Sequence, residues 1–286
     1  MALPDFLVIG APRAGTTSLH NYLGQHPQIF MCPVKEPNFF RQTDESFSGK
    51  ALSEREYEAL FDGAKPGQRA GEGSPAYLVS QGAPGLVSQL IPEATMIAVL
   101  RDPAERAFSD YQSWVRSGGE TLDFDRAVAD GRGEGVRPIG HYLNPGFYFR
   151  HLSHWLSEFP RERLHIFLYE DLIANPAAFL ATICEALGID SEFCFDAGIR
   201  YNPSGKPRNR LLQKTLEPSR MTAAVERILP ATLKRYGQKI LFAVRAANLE
   251  PVRLDPVTRK ALIANYREDI LKTQDLLGRD LSAWLR

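Results

Sequence analysis

The run Phe6-Leu-Val-Ile-Gly10-Ala-Pro-Arg13-Ala-Gly15-Thr16-Thr17-Ser18-Leu19 constrains this chain more than any other segment. An apolar burst followed by Gly, a cation, Gly and three hydroxyls specifies a buried strand, a tight loop and a helix N-terminus, a geometry that predicts an anionic ligand. The nucleoside-triphosphate version of such a loop is G-x-x-x-x-G-K-[ST], whose Lys reaches the β/γ-phosphates and whose next hydroxyl holds Mg²⁺. Gly10 and Gly15 keep that spacing, but Thr16 stands where the Lys belongs and the only cation is Arg13. A triphosphate therefore loses its main counter-charge. Backbone N–H groups, one guanidinium and several hydroxyls suit a compact, doubly charged group instead.

Two more apolar segments, Thr95 to Leu100 and Leu164 to Tyr169, are each followed by a helix-start signal. This βα rhythm predicts an α/β fold with a parallel sheet and helices on its faces. Ligands of such sheets bind outside the carboxyl ends of the strands, which brings Arg13, Arg101 and Glu170 to one edge. Elsewhere the patterning predicts a short helix from Glu54 to Phe61 and a Gly-rich connection, Gly63 to Ser74, into a further short strand or turn. Leu122 to Asp130 reads as helical and is followed by a Gly-rich surface loop, Gly131 to Gly135. Gly146 to Phe159 reads as a core-packing helix, and a last long helix opens at Asp255-Pro256 and stops at Gly278. At 286 residues the chain fits one large α/β domain or a domain with a small helical appendage.

Charge narrows the partners. Lys+Arg and Asp+Glu number 34 each, so no long-range field advertises a polyanion, and no nucleic-acid partner is expected. Cys32, Cys184 and Cys194 are odd in number, lack C-x-x-C spacing and have no accompanying His cluster, so neither a disulfide framework nor a zinc site is expected. A first strand near residue 6 and the lack of any apolar run near the ~18 residues of a spanning helix lead to the expectation of a cytoplasmic protein.

The second informative segment is Leu100-Arg101-Asp102-Pro103-Ala-Glu105-Arg106-Ala-Phe-Ser109. Asp102 is a natural N-cap, Pro103 fits the first helical position, and Glu105 completes a capping-box-like pattern. Ser109, about two turns beyond the cap, returns to the side of residue 102, so Arg101 and Ser109 can grip one phosphate.

Together with Lys35-Glu36-Pro37-Asn38-Phe39-Phe40, Glu72-Gly-Ser74-Pro75-Ala76-Tyr77 and the closing Leu277-Gly278-Arg279-Asp280-Leu281 with Trp284, these segments resemble sulfotransferases that use 3′-phosphoadenosine 5′-phosphosulfate (PAPS), closest in motif to the glycosaminoglycan and bacterial branches. The resemblance runs in order over nearly the whole chain. It implies a single three-layer P-loop-like domain over 1–286, PAPS as donor, adenosine 3′,5′-bisphosphate (PAP) as product, and no metal. Arg13, Ala14, Gly15, Thr16, Thr17 and Ser18 would hold the 5′-phosphosulfate, and Arg101 with Ser109 the 3′-phosphate. Lys206 and Arg208, in Asn202 to Arg210, resemble the basic segment that closes over the 3′-phosphate and adenosine; an ordinary exposed loop is the alternative.

Sulfuryl transfer needs a base at the acceptor and cations where charge builds up on the bridging oxygen. Glu36 resembles the catalytic Glu of the glycosaminoglycan-type branch, with Lys35 beside it to orient acceptor or sulfonate. His141 is the runner-up base and Glu72 a third candidate. The acceptor is expected to be a hydroxyl of a small molecule, glycolipid or carrier-tethered acyl chain. Related enzymes acting on heparan-like chains often carry Lys where this chain has Gly73, which argues against a sulfated polysaccharide. Lys206 to Arg245 holds 10 Lys/Arg against 2 Asp/Glu. With 206–250 as a helical lid, it would meet an acidic carrier protein or an anionic membrane surface, or simply lie solvated over the cofactor. A P-loop kinase or NTPase, or a catalytically silent nucleotide-binding module, is the alternative function.

Overall fold

The computed structural model describes residues 3–44, 47, 49–129, 141–198, 205–209, 244, 247–250 and 252–286. Five strands, β1 Phe6–Gly10, β2 Ile29–Met31, β3 Arg69–Gly73, β4 Thr95–Leu100 and β5 Leu164–Leu168, form one all-parallel sheet in the order β2-β3-β1-β4-β5. Every residue of β1 and β4 is buried, as their unbroken apolar runs require of central parallel strands. The edge strand β5 is only half covered. The predicted α/β class and the three predicted strands are all present, with one boundary moved: Tyr169 opens a helix instead of ending a strand. Two strands lie beyond those expected: β2, a three-residue apolar run too short to stand out, and β3, whose Arg-Ala-Gly-Glu-Gly lacks apolar patterning.

Helices flank the sheet: α1 Thr16–Leu23, α2 Glu54–Glu58, α3 Ala83–Leu90, α4 Pro103–Ser117, α5 Phe124–Ala129, α6 Tyr148–Glu158, α7 Tyr169–Ala174, α8 Pro176–Leu187 and α9 Pro256–Leu277. The last obeys its predicted signals at both ends. The Asp255 side chain accepts from Val257 and Thr258 N–H, and Gly278 closes the C-terminus at φ 62°. α9 packs against α6 and α4, tying the end of the chain to the sheet's functional edge. From β1 the chain runs to β2 and β3 on one side, then crosses to β4 on the other. The carboxyl end of β1 is therefore a topological switch point, where an open α/β sheet leaves a crevice. The Gly-rich loop 131–135 and most of the 206–250 segment lie outside the described residues.

The core helix α6 carries a pH liability. His151 is 3% exposed and bonds the Asn144 carbonyl at 2.9 Å. Burial, aided by Arg150, His154 and Arg106, lowers its pKa to about 4, although the Asn144 carbonyl opposes the shift. Above the ordinary value near 6.5 neither folded nor unfolded chain binds this proton. As pH falls from there toward 4, the unfolded chain takes it up and the folded one does not, so stability declines by up to about 3 kcal/mol. Urea titrations from pH 7.5 to 4.5 should show wild type losing about that much more stability than His151→Gln; parallel curves would refute the assignment.

Candidate functional site

The loop between β1 and α1 is shaped by two left-handed residues, Arg13 at φ 69° and Gly15 at φ 83°. A Cβ on Gly15 would stand 3.0 Å from the Tyr169 ring, so both conformation and space demand glycine there. Ala11 N–H donates to the Val99 carbonyl at 2.7 Å and Ala14 N–H to the Ala11 carbonyl at 3.2 Å, which hold the loop across the ends of β1 and β4. No side chain caps α1, so its first-turn amides face the loop. Ala14, Thr16 and Ser18 are buried in this turn, and Thr17 lies between the two hydroxyls.

Cations gather around that turn. Arg13 is held below its ordinary pKa by burial and by Arg116, Arg101 and Arg106, while Asp110 works the other way. A guanidinium stays protonated even so. Its Nε is buried without a hydrogen-bond partner among the described residues. Arg101 extends from the end of β4, donates through Nη1 to the Arg13 carbonyl at 3.2 Å and lies 5.0 Å over the Tyr169 ring. Asp110, one turn after Arg106 on α4, takes Arg106 at 3.4 Å and His141 at 3.8 Å. His141 thus belongs, through Asp110, to the charge network around Arg13.

Asp102 caps α4 through Ala104 and Glu105 N–H, but the capping box does not close as its pattern predicts. Glu105 turns outward to Arg101 at 3.9 Å and Arg259 at 3.5 Å, and Glu170 supplies the missing carboxylate by accepting Asp102 N–H at 3.1 Å. Trp284 donates to the same Glu170 oxygen, and Arg259 of α9 reaches Asp102 at 2.6 Å. Glu170 thus ties the start of α4 to the closing segment of the chain. Ser109 is buried on α4, and the two-stranded pair Lys206–Pro207 with Leu249–Glu250 packs beside that helix. Arg208 is exposed and its N–H donates to the Asn248 carbonyl at 2.7 Å, so the backbone of 206–208 adjoins the Ser109 helix.

The other side of the crevice is built by the turn after β2. Glu36 and Asn38 are non-glycine residues at φ 58° and 55°, a strain of order 1 kcal/mol or more each. Glu36 N–H donates to the Gly73 carbonyl at 3.2 Å, Asn38 N–H to Ser74 Oγ at 3.1 Å, and Asn38 Nδ2 to the Glu36 carbonyl at 2.7 Å. The Glu36 side chain is 45% exposed and pairs with Lys35. Glu72 is different: it is fully enclosed and ringed by hydroxyls, which disqualifies it as a base in direct contact with an acceptor.

His20, which no motif of the sequence marks, also belongs to this side. Its Nδ1 is buried without a partner among the described residues, and burial, with Lys35 nearby, pulls its pKa to about 4 against the opposing pull of Glu36. A Cβ on Gly73 would stand 3.8 Å from that nitrogen, within ordinary contact, and Gly73 has no left-handed backbone demanding glycine. Its missing side chain leaves room beside His20. The available signal was spacing, since Thr16 and His20 are one turn apart on α1.

Comparison with known proteins agrees with this geometry. The profile of the sulfotransferase domain family matches residues 3–198. Human heparan sulfate glucosamine 3-O-sulfotransferase 3B1 is 31% identical over 200 residues, which cover 68% of this chain and 50% of that protein. The mouse heparan sulfate glucosamine 3-O-sulfotransferase 6 is 30% identical over 249 residues, covering 82% of this chain and 70% of its own. A crystal structure of a sulfotransferase from Alicyclobacillus acidocaldarius superposes with a TM-score of 0.77 at 27% identity, covering 100% of both chains. The chain belongs to the sulfotransferase domain family. It spans about half the length of the first curated relatives it matches.

Proposed function

We propose that this protein transfers a sulfuryl group from PAPS to a hydroxyl, with Glu36 as general base. The observation that carries the reading is the buried, unpartnered Nε of Arg13, set among Arg101, Arg106 and Arg116 at an uncapped helix start. An unpaired buried donor within a surplus of positive charge is matched by a dianionic ligand. Arg13 and the turn from Ala14 to Ser18 would hold the 5′-phosphosulfate, and Arg101 and Ser109 the 3′-phosphate, with Lys206 and Arg208 closing over it. The donor supplies an activated sulfuryl group. Arg13 and the first-turn amides stabilise charge growing on the phosphate oxygen it leaves, Glu36 takes the acceptor's proton, and Lys35 orients the incoming group.

Gly73 and the balanced net charge favour a neutral acceptor, a small molecule, glycolipid or carrier-tethered acyl chain, over a sulfated polysaccharide. The excess of cations between Lys206 and Arg245 suits an acidic carrier protein or an anionic membrane surface. Calorimetric titration with PAP should show binding at one site that is unchanged by EDTA, with ATP at least about tenfold weaker because it lacks the 3′-phosphate. Absence of PAP binding, or Mg-dependent ATP turnover, would overturn the proposal.

A further inference from the structure

Glu72 of β3 is 0% exposed, and among the described residues it meets no cation. A carboxylate so placed is ordinarily paired with a cation or protonated. Here three hydroxyls converge instead: Tyr77 Oη donates to Oε1 at 2.6 Å, Tyr57 Oη to Oε1 at 3.1 Å, and Ser74 Oγ to Oε2 at 2.8 Å. An ionised carboxylate only accepts, so it commits the proton of each hydroxyl and turns the oxygen lone pairs outward. Two of those oxygens meet the neighbouring turn, where Ser74 Oγ accepts Asn38 N–H at 3.1 Å and Tyr77 Oη accepts Phe40 N–H at 3.4 Å. The third group, the Tyr57 ring, stacks on Phe39 with centroids 4.2 Å apart and planes 7° from parallel. Residues 38, 39 and 40 are thus each held by one of the three groups that Glu72 orients.

We propose that Glu72 is a positioning residue: through Ser74, Tyr77 and Tyr57 it holds the 36–40 turn in the left-handed conformation that presents Glu36 to the acceptor. The inference rests on the reading of Glu36 as base. Glu36 and Asn38 at φ 58° and 55° require surroundings that over-determine them, and the hydroxyl clamp is that surrounding. Asn38 passes the constraint on, because its Nδ2 holds the Glu36 carbonyl at 2.7 Å while Glu36 N–H bonds Gly73, the residue after Glu72.

The clamp is sensitive to pH. Protonated Glu72 would carry a hydrogen where a hydroxyl already points, so one hydroxyl must turn and one turn amide loses its acceptor. Burial raises Glu72 to about 7, the three hydroxyls hold it down, and the charge of Glu36 raises it further. Among the described residues the other ionisable groups facing it are Tyr57 and Tyr77, which burial holds protonated, and Cys32, beyond β2, whose thiol burial pushes up to about 11. The turn therefore tightens as pH rises through about 7 and loosens below it.

Hydrogen exchange over residues 36–41, followed by mass spectrometry on the full chain with PAP bound, tests this without knowledge of the acceptor. Corrected for intrinsic rates, protection in wild type should fall about tenfold from pH 8 to pH 6, and in Glu72→Gln it should be low at both. Tyr77→Phe removes one donor to the charged form, so the midpoint should rise by about one pH unit, a shift that a purely structural role would not produce. Where an acceptor is turned over, kcat of Glu72→Gln should drop about 10- to 100-fold with PAP affinity within about twofold. Wild-type exchange in Glu72→Gln, or an unmoved midpoint in Tyr77→Phe, overturns the clamp, and Tyr77→Phe decides if Glu72→Gln does not fold. Glu36→Gln measured alongside separates the two readings: retained transfer there removes the base assignment, while the exchange data still judge the clamp.

Discussion

Arg13→Ala should cost PAP binding at least about a hundredfold while leaving the protein as stable as wild type or more so. A guanidinium gripping a phosphate through two charge-assisted hydrogen bonds contributes about 3 kcal/mol or more in a site shielded from water. In the unliganded protein the same group is a burden. It is half-buried with an enclosed, unsatisfied Nε, and Arg101, Arg106 and Arg116 all oppose its charge, with Asp110 as the opposing carboxylate. Asp110 keeps Arg106 as partner when Arg13 is gone, so its own charge is not stranded. Binding and stability therefore move in opposite directions, which distinguishes a ligand residue from a structural one. Calorimetry with PAP and a thermal melt on the same sample read both. Arg13→Lys keeps the charge but not the fork and should fall between, about tenfold weaker than wild type. Undiminished PAP binding in Arg13→Ala would remove the loop from the donor site.

The parts of this molecule that were legible in its sequence are those whose determinants are local. β1 and β4 are buried on both faces, so their apolar runs stand out, and Asp102-Pro103 and Asp255-Pro256 mark helix starts because capping is settled within a few residues. The β3 strand, Arg-Ala-Gly-Glu-Gly, has no such signature. Gly71 is needed because a Cβ there would lie 2.1 Å from the Phe6 ring, and Glu72 is tolerated because hydroxyls from residues 57, 74 and 77 surround it. Those are contacts between segments, and no window of sequence displays them. The candidate site divides the same way. The tight loop between β1 and α1 was readable from Gly10, Arg13 and Gly15, whereas the closing of the α4 cap by Glu170 and the approach of His20 to Gly73 depend on how strands and helices meet. Glu105 shows the limit: its spacing from Asp102 fits a capping box, yet Arg101 and Arg259 draw it outward. Glu170, brought from beyond β5 by the fold, takes the Asp102 N–H that the local rule assigns to Glu105.

Glu36→Gln should lower kcat for sulfuryl transfer by about 10²- to 10⁴-fold and leave PAP affinity within about twofold of wild type. The side chain is 45% exposed and its contact in the turn is Lys35, so Gln replaces it at little cost in stability, about 0.5 kcal/mol or less. Gln also tolerates the left-handed backbone as well as Glu does. A loss of rate in this variant is therefore a loss of chemistry and not of structure. The rivals are the histidines. His20 lies on the same side of the crevice and, with a pKa of about 4, is neutral at pH 7, but so weakly basic a nitrogen takes up little of an acceptor's proton in a transition state. It is better suited to accept a hydrogen bond. His141 pairs with Asp110 in the network that includes Arg13, so its removal should register first in donor affinity. Steady-state kinetics on Glu36→Gln, His20→Leu and His141→Gln should place the large kcat effect on the first alone. Retention of more than about a tenth of wild-type kcat in Glu36→Gln would pass the role of base to one of the two histidines.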